Sequence, residues 1–149
     1  MTGPEPAHRL AHGTAIAIEG RAILLRGPPG AGKSDLALRL IDGGARLVAD
    51  DQAELWRVGD QILVRAPTTI TGLIEVRGLG ILPIDALEEA PLALVVDLVS
   101  SGEVERLPEE RTEEVLGLVI PLIALAPFEA SAAAKLRLAL RHFGPDSKE

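Results

Sequence analysis

The chain has 149 residues, 47% of them hydrophobic and 2% aromatic, with a formal charge of −7. That length suits one domain that buries about two thirds of its unfolded surface, in a core that must be aliphatic. The absence of cysteine excludes disulfides, thiolate metal sites and cysteine nucleophiles, the acidic balance without a dense Lys/Arg tract argues against nucleic acid, and no apolar run reaches membrane-spanning length.

Residues 1–7 read as a loose lead-in, and MTGPEPAHRL lacks the charged-then-apolar order of a signal peptide, so a cytoplasmic protein is expected. His12 precedes the first strand-like run; a lone histidine there is more often structural than catalytic. TAIAIEG (14–20) and RAILLRG (21–27) are strand-like and separated only by Glu19-Gly20, a connection so short that it makes an antiparallel hairpin. GPPGAGKSD follows, then an apolar helix pattern over Ser34 to Asp42 that Gly43-Gly44 stops. ARLVADD and the hairpin AELWRV, Gly59-Asp60, QILVRA come next. PLALVVDLV (91–99) reads as a buried strand and SSGEVERLPEERTEE (100–114) as an exposed charged connection. VLGLVIPLIAL gives one or two short strands, ASAAAKLRLALRHF (130–143) a helix, and 144–149 a loose tail. Hairpins in place of strict strand–helix alternation predict an α/β fold: one phosphate-binding strand-loop-helix unit in a mixed, largely antiparallel sheet with flanking helices. The whole chain, 1–149, is expected to be a single domain.

The stretch Gly27, Pro28, Pro29, Gly30, Ala31, Gly32, Lys33, Ser34 is a complete match to G-x-x-x-x-G-K-[ST] in the strand-loop-helix context the motif requires. Glycines let successive N–H groups turn toward one centre, Lys33 adds positive charge, and the helix start aims its dipole at the same point. An anion is expected there. Phosphoryl transfer needs carboxylates as well. Asp50 and Asp51 end the run RLVA, where adjacent side chains of a strand face opposite ways, one toward a metal and one toward an acceptor; a solvated Asp-Asp turn fits equally. Asp97, in LVVD, is a rival, although Leu98 and Val99 continue its strand. In IEVRGLGIL (74–82), Glu75 and Arg77 share a face if extended, as a site or as a surface ion pair.

His12-Gly13, GPPGAGKSD, LVADD and IEVRGLGI, in this order and spacing, resemble the HPr kinase/phosphorylase family from about Arg9 to Ile84. The likeness is to its short form, which has the C-terminal catalytic domain only, of α-proteobacterial type. The resemblance implies a P-loop fold of the phosphoenolpyruvate-carboxykinase-like type. It also implies ATP and Mg²⁺ as cofactors, a serine of the phosphocarrier protein HPr as acceptor, and a homo-oligomer, in that family a hexamer. Carried over, Gly27 to Ser34 hold the nucleotide phosphates, with Lys33 on them and Ser34 on Mg²⁺. Asp51 matches the proton acceptor and Asp50 a metal ligand, with their exchange left open; Glu75 matches the second metal ligand, and Arg77 and His12 catalytic residues.

Two departures stand out. Longer members carry a late Pro-Gly-Arg-Asn-like loop with a catalytic arginine, whereas APFEAS here has Phe128 and Glu129, with Lys135 and Arg137 only in the following helix. The connection from Ala66 to Ile74 is also short. The expected function is therefore an HPr serine kinase with weak or absent phosphorylase activity. The alternatives are a P-loop kinase or ATPase with another acceptor and a non-catalytic ATP-sensing module.

Overall fold

The computed structural model describes residues 7–144, so residues 1–6 of the expected lead-in and 145–149 of the expected tail lie outside the described residues. The chain opens with β1 (His8–His12), β2 (Thr14–Ile18) and β3 (Arg21–Arg26). β2 and β3 pair antiparallel through Glu19 and Gly20, both at positive φ, the geometry whose twist matches a two-residue hairpin. After the glycine-rich loop come α1 (Lys33–Asp42), β4 (Arg46–Ala49), β5 (Gln52–Val58) and β6 (Gln61–Arg65). Gly43 closes α1 by donating to the Arg39 and Leu40 carbonyls. A separate hairpin, β7 (Leu73–Val76) with β8 (Gly80–Pro83), precedes the ten-residue β9 (Glu89–Leu98). β10 (Arg111–Val115), β11 (Leu118–Leu125) and α2 (Ala132–Phe143) complete the order.

The main sheet runs β1-β5-β6-β9-β3-β2-β4, with β11 beside the end of β9 and β10 outside β11. Among its described pairs only β3–β9 and β9–β11 are parallel, so it is mixed and largely antiparallel, as the hairpins predict. Alternation along the strands divides the core in two. Ile16, Ile23, Leu25, Leu94 and Val96 face the helices and pack against Leu36, Leu40, Leu136 and Leu140. Ala15, Ala17, Ala22, Leu24 and Val95 face the other way, against Leu55, Val64, Ile120 and Leu122. Both described helices therefore cover one face, and the sheet curls over its own other face, where short alanines leave room for it. No described helix is long and apolar enough to cross a membrane.

Ala7, placed in the lead-in, accepts from the Arg57 N–H, and Gly144, placed in the tail, donates to the Leu140 carbonyl. His12 does not merely precede a strand: it ends β1, opposite Gln52. The connection 100–114 contains a 3₁₀ turn at Ser101–Glu103, boxed by Ser100 and Glu103, and then the first residues of β10. Only from Arg111 on do its charges belong to a strand, with Arg111, Thr112 and Glu114 exposed, Glu113 half-buried and Val115 buried.

Leu94 is fully buried where β9 meets β3 and α2. Leu94→Ala should lower unfolding free energy by about 2–5 kcal/mol, the usual cost of a leucine-sized core truncation. The urea midpoint should fall accordingly with little change in slope.

Candidate functional site

β3 delivers the chain to Gly27 and α1 begins at Lys33, so residues 27–32 must reverse direction within six positions. Gly32 does this at φ 103, and a Cβ there would come within 3.0 Å of both Phe128 and Pro127. Leu36 donates to the Gly32 carbonyl at 2.9 Å, which leaves the first-turn N–H groups before it aimed out of the helix start. Lys33 is largely buried, and its Nζ donates to the carbonyls of Gly27 at 2.6 Å and Pro28 at 3.3 Å. Amides and ammonium converge on one side of the loop, a cradle suited to a polyanion.

Beside the cradle, Asp50 is buried with both carboxylate oxygens hydrogen-bonded. Oδ1 accepts from Ser34 Oγ at 2.8 Å and Thr14 Oγ1 at 3.1 Å, and Oδ2 accepts from the Glu75 N–H at 2.9 Å. Three segments distant in sequence meet on this one side chain. Asp50 and Asp51 do not alternate along a strand as expected; they form the corner between β4 and β5, with Asp51 at φ 68. The left-handed corner is what separates them, leaving Asp51 exposed and Asp50 buried. The Gly13 N–H donates to the Asp51 carbonyl at 3.0 Å, which brings the end of β1, and with it His12, to the same corner.

Glu75 lies on β7, exposed, with its backbone on Asp50. Arg77 is not on the same extended face, because it stands in the turn that Leu79 closes by donating to the Val76 carbonyl. Gly27, Pro28, Pro29, Gly30, Ala31, Gly32, Lys33, Ser34, Asp50 and Glu75 are thus gathered together, with Asp51 and His12 adjoining. Asp97 is engaged elsewhere: with Glu113 it clamps Arg26, at 2.8 Å to Nε and 3.2 Å to Nη2. Burial works against that guanidinium's charge, but its hydrogen bonds to Glu113 and Asp97 outweigh burial and hold its pKa above the ordinary value.

The segment after β11 borders the loop. Arg39 of α1 donates to the carbonyls of Pro127 and Glu129, and Phe128, largely exposed, lies against Gly32. Lys135 pairs with Glu129 at 2.9 Å and holds that carboxyl below the usual range, while Arg137 donates to the Leu40 carbonyl at the other end of α1. The sequence reading missed Thr14, fully buried and bonded to Asp50, because a threonine opening TAIAI reads as an ordinary strand former. Its only signal is a hydroxyl in an otherwise aliphatic run.

A family model described as HPr Serine kinase C-terminal domain matches residues 6–136. The HPr kinase/phosphorylases of Burkholderia lata and Burkholderia cenocepacia are each 42% identical over 125 residues, covering 76% of this chain. The chain spans 39% of the length of those relatives. The solved Hpr(Ser) kinase/phosphatase from Coxiella burnetii superposes with a TM-score of 0.80 at 26% identity, over 90% of this chain and 95% of that one.

The clamp on Arg26 makes Asp97 a stability residue. Asp97→Asn should cost about 1–2 kcal/mol in chemical denaturation, below the upper range for charged hydrogen bonds because the pair is partly solvated. Nucleotide affinity, measured by calorimetry, should be unchanged.

Proposed function

The chain belongs to the HPr Serine kinase C-terminal domain family, and from that premise we propose that it is a cytoplasmic, homo-oligomeric kinase transferring the γ-phosphoryl of ATP to a serine of HPr. The observation that carries this reading is the Ser34–Asp50 hydrogen bond beside the loop, with Asp51 exposed at the next position. A P-loop architecture of the phosphoenolpyruvate-carboxykinase-like type accounts for a largely antiparallel sheet around one strand-loop-helix unit.

In this reading residues 27–34 bind the triphosphate, and Lys33 exchanges the carbonyls of Gly27 and Pro28 for phosphate oxygens. Hard oxygen donors from Ser34, Asp50 and Glu75 suit Mg²⁺, which would neutralise phosphate charge when bound. Asp51 accepts the serine hydroxyl's proton, and its exposure lets a protein substrate reach it. His12 and Arg77 adjoin the acceptor side.

Labelled ATP, Mg²⁺ and purified HPr should yield phosphoserine. Asp51→Asn should reduce that transfer by about 10²–10⁴-fold while leaving ATP affinity intact. At one hundred times its dissociation constant, Mg-ATP should stabilise the wild type by about 2.7 kcal/mol, a melting shift of roughly 5–10 °C that Lys33→Ala largely abolishes. Turnover of ATP without phosphoserine would favour another acceptor; tight ATP binding without turnover would favour a sensing module.

The reverse reaction should be weak. Attack of inorganic phosphate on phosphoserine sets two anions together, which calls for an added cation. Of the cations on α1 and after β11, Lys135 is paired with Glu129, Arg39 faces backbone carbonyls and Asp35, and Arg137 lies at the other end of α1, which leaves Arg77 of the β7–β8 turn to serve the acceptor side unaided. Pyrophosphate release from phosphoserine-HPr and excess phosphate should run at least about 10³-fold below the forward rate, the scale of one missing arginine. Comparable rates would show that a cation reaches the site from elsewhere.

A further inference from the structure

Thr14 is fully buried at the start of β2, and its single hydroxyl makes two bonds of opposite sense. Oγ1 donates to Asp50 Oδ1 at 3.1 Å and accepts from the Asp51 N–H at 3.1 Å. One hydroxyl has the capacity for both at once. The two residues it joins are the adjacent aspartates of the site, and the second holds φ 68, a conformation that side-chain-bearing residues adopt only when their surroundings fix it. The neighbouring backbone completes the fixing: Gly13 donates to the Asp51 carbonyl and Gln52 to the Asp50 carbonyl at 2.8 Å. Gly13 is itself required there, since a Cβ would stand 2.7 Å from the Leu25 carbonyl oxygen.

We propose that Thr14 is a positioning residue of this site, whose hydroxyl keeps Asp50 turned to Ser34 and locks the Asp51 corner so that adjacent carboxylates face different groups. The inference deepens the kinase reading and rests on it for its kinetic consequence. Ser34 is the partner that Asp50 shares with the nucleotide side; Thr14 and the Glu75 N–H belong to the protein interior. Those two bonds hold the carboxylate whether or not Ser34 turns toward a ligand. A valine has the same shape and can make neither of the threonine's bonds. A serine can make both.

The test compares wild type with Thr14→Val and Thr14→Ser, and Thr14→Ala serves the same comparison should the valine variant not fold. Amide hydrogen exchange by NMR reads the Asp51 N–H directly. It should be protected in wild type and Thr14→Ser and lose protection in Thr14→Val, while Ala15, Ile16 and Ala17 keep theirs. Phosphoryl transfer to HPr should lose about 10–100-fold in kcat in Thr14→Val, the scale of a misplaced reacting group, with KM for ATP nearly unchanged. Thr14→Ser should recover most of that loss. Unchanged Asp51 exchange, or a kcat insensitive to Thr14→Val, overturns the proposal. So does a uniform loss of ATP affinity and melting temperature that Thr14→Ser fails to reverse, since that marks a role in packing. Should the wild type transfer nothing to HPr, the kinase reading fails on its own, and the exchange comparison still decides whether Thr14 locks the corner.

Discussion

A carboxylate withdrawn from water must find donors on the protein, and Asp50 finds them in three directions. Ser34 reaches it from the start of α1, Thr14 from the start of β2, and the Glu75 N–H from β7. Each of those segments is anchored in the helix-side core, through Leu36, Ile16 and Ile74. The apolar packing sets the backbones within reach, and the carboxylate fixes how they meet. Chemistry assembled on such a hub inherits its rigidity, because moving any one donor leaves a buried oxygen short of a partner.

The distribution of cations around that hub is equally constrained. Arg26, one residue before the loop, is neutralised by Asp97 and Glu113 and joins the parallel strands β3 and β9 to β10. Arg39 braces the segment after β11 against α1. Lys33 faces into the loop on carbonyl oxygens, which are weaker partners than acids and readily exchanged for phosphate. Arg77 stands exposed in the β7–β8 turn and forms no ion pair among the described residues. Strong pairs build the frame, and the lightly held Lys33 is the charge left in the cradle.

Local chemistry made much of this legible in the sequence. Glu19-Gly20 and Gly59-Asp60 specify two hairpins through turn conformation alone, and the apolar spacing of Leu36 and Leu40 before Gly43-Gly44 bounds a helix. The glycine-lysine-serine spacing carries its own mechanism. What stayed hidden depends on long-range contacts. Nothing local distinguishes Asp97 as Arg26's partner from Asp97 as a metal ligand; the parallel register of β3 and β9 decides it. The Asp50-Asp51 corner reads as a strand end until the left-handed φ of Asp51 is seen. β10 reads as a charged loop because most of it faces solvent, and β1 is exposed along nearly its whole length.

β9 supplies the centre of the sheet, with β3 on one side and β6 and then β11 on the other. Its order in the chain has a consequence for how the protein is made. The hairpins β2–β3 and β5–β6 join near neighbours and can close in microseconds, but the row that links Arg26 to Asp97 spans 71 positions. Closing a loop of that length is entropically costly before any contact repays it, so the sheet centre is a late event. Until β9 leaves the ribosome, the inner edge of β3, with the apolar side chains of Ile23 and Leu25, has no strand to pair with. The nascent chain therefore carries an open, sticky sheet edge for those 71 positions of its synthesis, and the interval before β9 docks is when it is most exposed to mispairing with another copy.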